Sequence, residues 1–248
     1  MTTSNTEKKI KLSENVEAYL YTPTSSYKGG IVFCTDIFGI EQEGTRARAA
    51  SFAANGYVCV LPDILGNDAL THEQLMQAND ALPKWLARHF PTGEEAQTAL
   101  GLSVSHLEQN FSLKNSAIFM VGVCYGGKAL LHALSTLPLR EKLSGGMVAH
   151  GSFMQPSDID EIEAPLLLLW AEKDNYFDYK PFVEGINKLQ ATRKVEGRPP
   201  LCGAEDRFKL DIVQEAQHGF WVKSAIEETM QTYASKQMFQ WLSKFIAL

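Results

Sequence analysis

A thiol, an imidazole and a carboxylate are enough for nucleophilic catalysis: one attacks, one moves the proton, one steers the base. In this chain Cys124, Asp174 and His218 supply them, in the order nucleophile, acid, base. Cys124 lies in Gly122-Val123-Cys124-Tyr125-Gly126, a G-x-[Ser]-x-G turn with Cys in place of Ser. A turn that sharp leaves no room for side chains two positions before and after the nucleophile. It also strains the nucleophile's own backbone, which persists only where the surroundings enforce it. A helix opening at Tyr125 would point its amides and dipole at the sulfur. The plainer alternative is a buried cysteine whose glycines let a helix approach the sheet.

Asp174 follows the apolar run LLLLWAEK, at the carboxyl end of a strand. Asp178, four residues on, is expected to cap the next helix instead. His218 stands in AQHGFW between a strand and the last helix, where a returning chain could bring it over the thiol. The amide of Tyr125, and that of Ile37 in the early loop CTDIFGI, are the expected oxyanion donors. Asp36 beside that loop would oppose a developing oxyanion unless protonated or turned away; an Asx turn is the plainer reading. Cys34 and Cys59, mid-strand, read as small core residues. His72, His89 and His106 read as surface residues and His132 as packed. His150, at a strand end, is expected to make a structural hydrogen bond, with the pocket wall as its alternative place.

These residues need a scaffold, and the hydropathy pattern provides one. Short β-branched runs at 15–23, 29–39, 57–63, 116–123, 145–153, 164–172 and 207–214 alternate with helical patterns at 43–57, 72–90, 93–110, 125–137, 179–193 and 225–246. Gly56 is placed to cap the first helix. Strand–helix alternation predicts an α/β fold with a mostly parallel sheet covered on both faces. In such a sheet, ligands gather beyond the carboxyl ends of the strands, where all three candidate residues fall. A single domain over 1–248 is expected, with a flexible polar stretch at 1–12. The Pro- and Gly-rich segment 195–206 reads as a long loop that covers the site or mediates self-association, and 66–112 as a candidate lid.

With 248 residues, 45% of them hydrophobic and 21% charged, the chain has the composition of a globular protein able to bury a core without metal or disulfides. A net charge of −6 and the lack of a dense basic stripe argue against nucleic-acid binding. The longest apolar run, PLLLLWA, is far below a membrane span, and the first residues lack the apolar core of a secretory signal. Four cysteines without CxxC or His/Cys ligand spacing predict free thiols, no metal and no cofactor, in the reducing cytoplasm. A monomer or homodimer is expected.

Together CTDIFG, LPDILG, GVCYGGK, WAEKDNYFD and QHGF, spread from about 30 to 220, resemble the dienelactone hydrolase family of the α/β-hydrolase fold. The resemblance implies hydrolysis of a carboxylic ester or lactone, of the carboxymethylenebutenolidase type. Cys124 would be the nucleophile, His218 the base and Asp174 its orienter, with the amides of Ile37 and Tyr125 as oxyanion donors. It also implies differences. The family's bacterial lactonases carry a thiol-modulating Glu where this chain has the shorter Asp36. They bind the substrate carboxylate with arginines, one of them four residues after the His. That position here is Val222, with Lys223 adjacent as the remaining substrate-binding candidate, and Arg88 is the sole arginine in 63–90. Two rival readings remain. A glutaminase-like site would need a Glu two residues after His218, where Phe220 stands. A catalytically degenerate hydrolase fold would bind a small molecule or partner without turning it over.

Overall fold

The computed structural model describes residues 5–113, 117–223 and 228–246. Eight strands form one sheet: β1 (Asn5–Lys11), β2 (Glu17–Pro23), β3 (Gly29–Cys34), β4 (Tyr57–Pro62), β5 (Ile118–Val123), β6 (Gly145–Ala149), β7 (Leu166–Ala171) and β8 (Phe208–Val213). Their spatial order is β1-β2-β4-β3-β5-β6-β7-β8. The six strands from β4 to β8 run parallel, and β1 and β2 are antiparallel at one edge. The helices are α1 (Glu43–Ala54), α2 (His72–Gln77), α3 (Ala81–Leu86), α4 (Glu94–Phe111), α5 (Tyr125–Ser135), α6 (Tyr179–Val195) and α7 (Glu228–Phe245).

Because side chains alternate across a strand, the parallel strands feed two cores. Val32, Val58, Val60, Met120, Val148 and Leu168 face α4, α5 and α6; Ile31, Phe33, Leu61, Val121, Met147 and Leu167 face α1 and α7. Strands buried on both faces read as the near-continuous apolar runs seen in the sequence. The winding reverses between β3 and β5, since β4 follows β3 on one side and β5 lies on the other. That reversal lies at the carboxyl ends of β3 and β5, where ligands gather in sheets of this kind and where residues 35–37 and Cys124 emerge.

Three expectations change. Residues 5–11, read as flexible, form β1 and pair with β2 along their whole length; positions 1–4 lie outside the described residues. A largely exposed edge strand carries little apolar alternation, and here ion pairs from Lys9 to Glu17 and Glu41 help hold it. The amphipathic stretch 72–90 is two short helices separated at residues 78–80. Segment 195–206 lies away from the carboxyl ends of the strands: Leu201 and Cys202 are buried, and Cys202 takes a backbone hydrogen bond with Leu166, at the start of β7. Buried Arg193 fastens it by donating to the carbonyls of Pro199 (2.8 Å) and Asp160 (2.6 Å). Positions 116 and 225–227, read as strand and helix starts, lie outside the described residues.

Candidate active site

Cys124 occupies the one-residue joint between β5 and α5, with φ 49° and ψ −117°. A non-glycine residue there is strained, and the packing around it explains why the strain holds. A Cβ on Gly122 would come within 2.5 Å of the Gly126 carbonyl oxygen, and one on Gly126 within 2.2 Å of the Cys34 carbonyl oxygen. Only glycine at both positions lets α5 start so close to the sheet. The Cys124 amide donates to the Ala149 carbonyl at 3.4 Å and its own carbonyl accepts from Gly127 at 3.0 Å. The side chain is partly exposed.

His218 stands at the head of the 218–223 turn, with Gly219 at φ +83°. Its Nδ1 meets Asp174 Oδ2 at 2.7 Å. The ring also interacts with the Cys124 thiol, which acts with Asp174 to favour the imidazolium. Burial alone would lower the imidazole's proton affinity, but Asp174 and Cys124 outweigh it and raise the pKa to about 9. Asp174 is fixed in turn: its side chain is 1% exposed, and its Oδ1 accepts from the amides of Tyr176 (2.9 Å) and Phe177 (3.0 Å). Asp178 takes the capping role, accepting from the Lys180 amide at 3.0 Å. Cys124, His218 and Asp174, which span 94 positions of the sequence, are therefore brought together at one place, with His218 bonded to Asp174.

The loop after β3 lies against this place, because the carbonyls of Cys34 and Thr35 pack on Gly126. The Ile37 carbonyl accepts from Leu70 at 2.8 Å, so the 63–71 segment steadies that loop. Tyr125 is the first residue of α5, where a backbone N–H has no acceptor within the helix. Both amides thus belong to elements that border the sulfur. Asp36 is buried and its Oδ1 accepts from the Phe38 amide at 2.9 Å, an Asx turn. Burial raises its pKa to about 6, against that bond and the charges of His218 and Lys223. Lys223 is exposed and donates to the His218 carbonyl at 2.8 Å.

Sequence reasoning missed three features here. Ser152, fully buried, donates its hydroxyl to Cys124 Sγ at 3.2 Å and its amide to the Cys124 carbonyl at 2.9 Å. A serine just past a strand end has no spacing signature to reveal it. His150 makes no structural hydrogen bond: neither ring nitrogen has a partner among the described residues. It packs edge-on against His218, with ring centroids 5.1 Å apart, and burial together with the His218 charge pushes its pKa well down, keeping it neutral. His89 is no surface residue: its ring nitrogens meet Asp68 and Glu95, each at 2.8 Å, tying the 63–71 loop to the starts of the next helices. Tyr176 and Phe177 also set their rings against His218, at 5.4 and 5.8 Å. Two surface cavities, of about 580 and 560 Å³, lie elsewhere, and neither is lined by Cys124, His218 or Asp174. Among the described residues no group of three metal-ligating side chains occurs and no helix is long and apolar enough to cross a membrane.

Comparison with known proteins identifies the family and the fold. A model of the dienelactone hydrolase family matches residues 16–246. Hydrolase pyvD of Aspergillus violaceofuscus is 28% identical over 91% of this chain and 85% of its own length. The carboxymethylenebutenolidase homolog of Homo sapiens is 22% identical, covering 94% of this chain and 89% of that one. A Klebsiella pneumoniae structure described as a dienelactone hydrolase superposes with a TM-score of 0.76 at 15% identity, over 98% of this chain and 100% of that one. The architecture is that of the α/β-hydrolase fold.

Proposed function

This chain belongs to the dienelactone hydrolase family, and from that premise we propose that it hydrolyses a carboxylic ester or lactone through a thioacyl intermediate on Cys124. The observation that carries the reading is an Asp174–His218 hydrogen bond whose imidazole also interacts with a sulfur held at a strained turn. The Cys124 thiolate adds to the substrate carbonyl, and the oxyanion is received by the amides of Ile37 and Tyr125. The tetrahedral adduct collapses, breaking the C–O bond, and the leaving oxygen takes the proton of the His218 imidazolium. Water then attacks the thioester, giving its proton to the now neutral His218. Collapse returns the electron pair to sulfur, releasing the carboxylic acid and restoring thiolate and imidazolium. Asp174 holds the tautomer that keeps Nε2 toward the sulfur.

For the acyl group, the surroundings favour an uncharged, apolar substrate. The Tyr176 and Phe177 rings border the imidazole, Lys223 is bonded to a backbone carbonyl, and Arg88 is paired with Asp68. Asp36, for its part, would bring negative charge beside the oxyanion loop once it ionises. A panel of lactones, esters and thioesters, run on wild type and Cys124→Ala, tests the assignment. Turnover of at least one neutral substrate, lost in the variant, is expected; a variant that keeps most of its rate would refute the nucleophile.

A further inference from the structure

We infer that Ser152 is a second catalytic donor to the Cys124 sulfur, holding the resting thiolate and stabilising it again as the leaving group when the thioester is hydrolysed. The inference deepens the hydrolase reading and rests on it for the second of these steps. The structure builds this contact with some care. Ser152 Oγ lies 3.2 Å from Cys124 Sγ, and the Ser152 amide is 2.9 Å from the Cys124 carbonyl, so two bonds lock the serine to the nucleophile's own residue. The loop after β6 that delivers it is strained: His150 and Phe153 flank it with φ of 40° and 60°. Gly151 is crowded enough that a Cβ there would meet Val148 Cγ1 at 2.7 Å and Met154 Cε at 2.6 Å. Strain of this kind survives only where the rest of the fold enforces it.

Chemistry assigns the contact a purpose. A hydroxyl donates far better to a thiolate than to a thiol or a thioester sulfur, so its bond strengthens as negative charge gathers there. His218 and Ser152 then hold the sulfur from two sides, one with a movable proton and one with a fixed donor. The Asp36 Oδ1 bonds its own loop, and it is Ser152 that meets the sulfur. In the second half of the reaction the C–S bond breaks and its electron pair returns to sulfur. A donor already in place lowers that step, the one a stable thioester would otherwise make slow.

The test is Ser152→Ala, with Ser152→Thr as the variant that keeps a hydroxyl and Ser152→Gly in reserve should the alanine protein not fold. Iodoacetamide labelling of Cys124 at pH 7 should slow about tenfold in Ser152→Ala, the expected loss of one hydrogen bond to a charged group, and recover in Ser152→Thr. With p-nitrophenyl acetate, the alanine variant should show a burst of nitrophenol followed by a slower steady rate, as acyl-enzyme accumulates. Labelling and steady rate both within twofold of wild type would overturn the inference. Labelling needs no ester substrate. A wild-type protein inert to every ester but showing the labelling loss would therefore sink the hydrolase reading and the leaving-group role while leaving the thiolate contact standing.

Discussion

The exits of β3 and β5 lie side by side, with Cys34 paired in register with Gly122, and each carries a cysteine. Cys34 is fully buried, and burial pushes its thiol well above the usual range. Cys124, two residues beyond Gly122, is partly exposed and interacts with an imidazole. The chemical type is the same; the backbone differs. After Cys34 the chain runs on into a turn closed by Thr35 Oγ1 donating to the Gly39 carbonyl at 2.9 Å. At Cys124 it doubles back through positive φ and lifts the side chain out of the sheet. The two exits also depend on each other, since the Cys34 carbonyl fills the space that a side chain on Gly126 would need. A cysteine becomes a candidate nucleophile here through the turn that presents it.

The largest expected effect breaks the contrast outright. Cys124→Ala should reduce ester turnover by about 10³-fold or more, while Cys34→Ala leaves it within a few-fold, as steady-state assays of both would show. Next comes the orienting acid: Asp174→Asn should cost on the order of 10³-fold in kcat with KM little changed, because the amide can hold His218 in the wrong tautomer. Third, Gly126→Ala drives a Cβ into the neighbouring strand's carbonyl and should destabilise the fold by on the order of 3 kcal/mol, read from urea unfolding.

Asp36, in the β3 exit, sharpens the comparison through pH. Its folded pKa of about 6 lies above the ordinary carboxyl value, so the folded state binds the proton more tightly. Stability should therefore be highest below about pH 4, fall as pH rises through 6, and stay low above. Asp36→Asn should remove that slope, giving up to about 3 kcal/mol of extra stability at pH 8 and none near pH 4. His218 gives a slope of the same sign in a higher pH window. Raised to about 9, it contributes stability that is complete below about 6.5 and lost as pH climbs through 9. In the proposed reaction the imidazolium that would protonate the leaving oxygen disappears over the same range, so turnover should decline above about pH 9. A rate that keeps rising past pH 10 would contradict the proton assignment.

Much of this could be read from residues in line. The apolar runs of β3, β5 and β7 and the helical periodicity around them specify a doubly covered parallel sheet, because burial on both faces leaves an unmistakable composition. The glycines bracketing Cys124 mark the sharp turn because no other residue fits there, and Asp174 and His218 stand where such a topology places partners. β1 escaped notice because its strand pairing is bought with backbone bonds and surface charge, which leave no hydrophobic period. Ser152 escaped, and His150 was given a hydrogen bond it does not make, because a strand end carries no pattern that says which of its residues will turn inward.

Composition and local spacing thus determined the scaffold and the sharp turn, since each depends on residues within a few positions of one another. Which groups actually touch was decided by the fold. Asp174, His218, Ser152 and Cys124 meet only because parallel strands end at a common edge. Distances of about 3 Å between residues dozens of positions apart are set by how strands and loops pack, and no local rule encodes them.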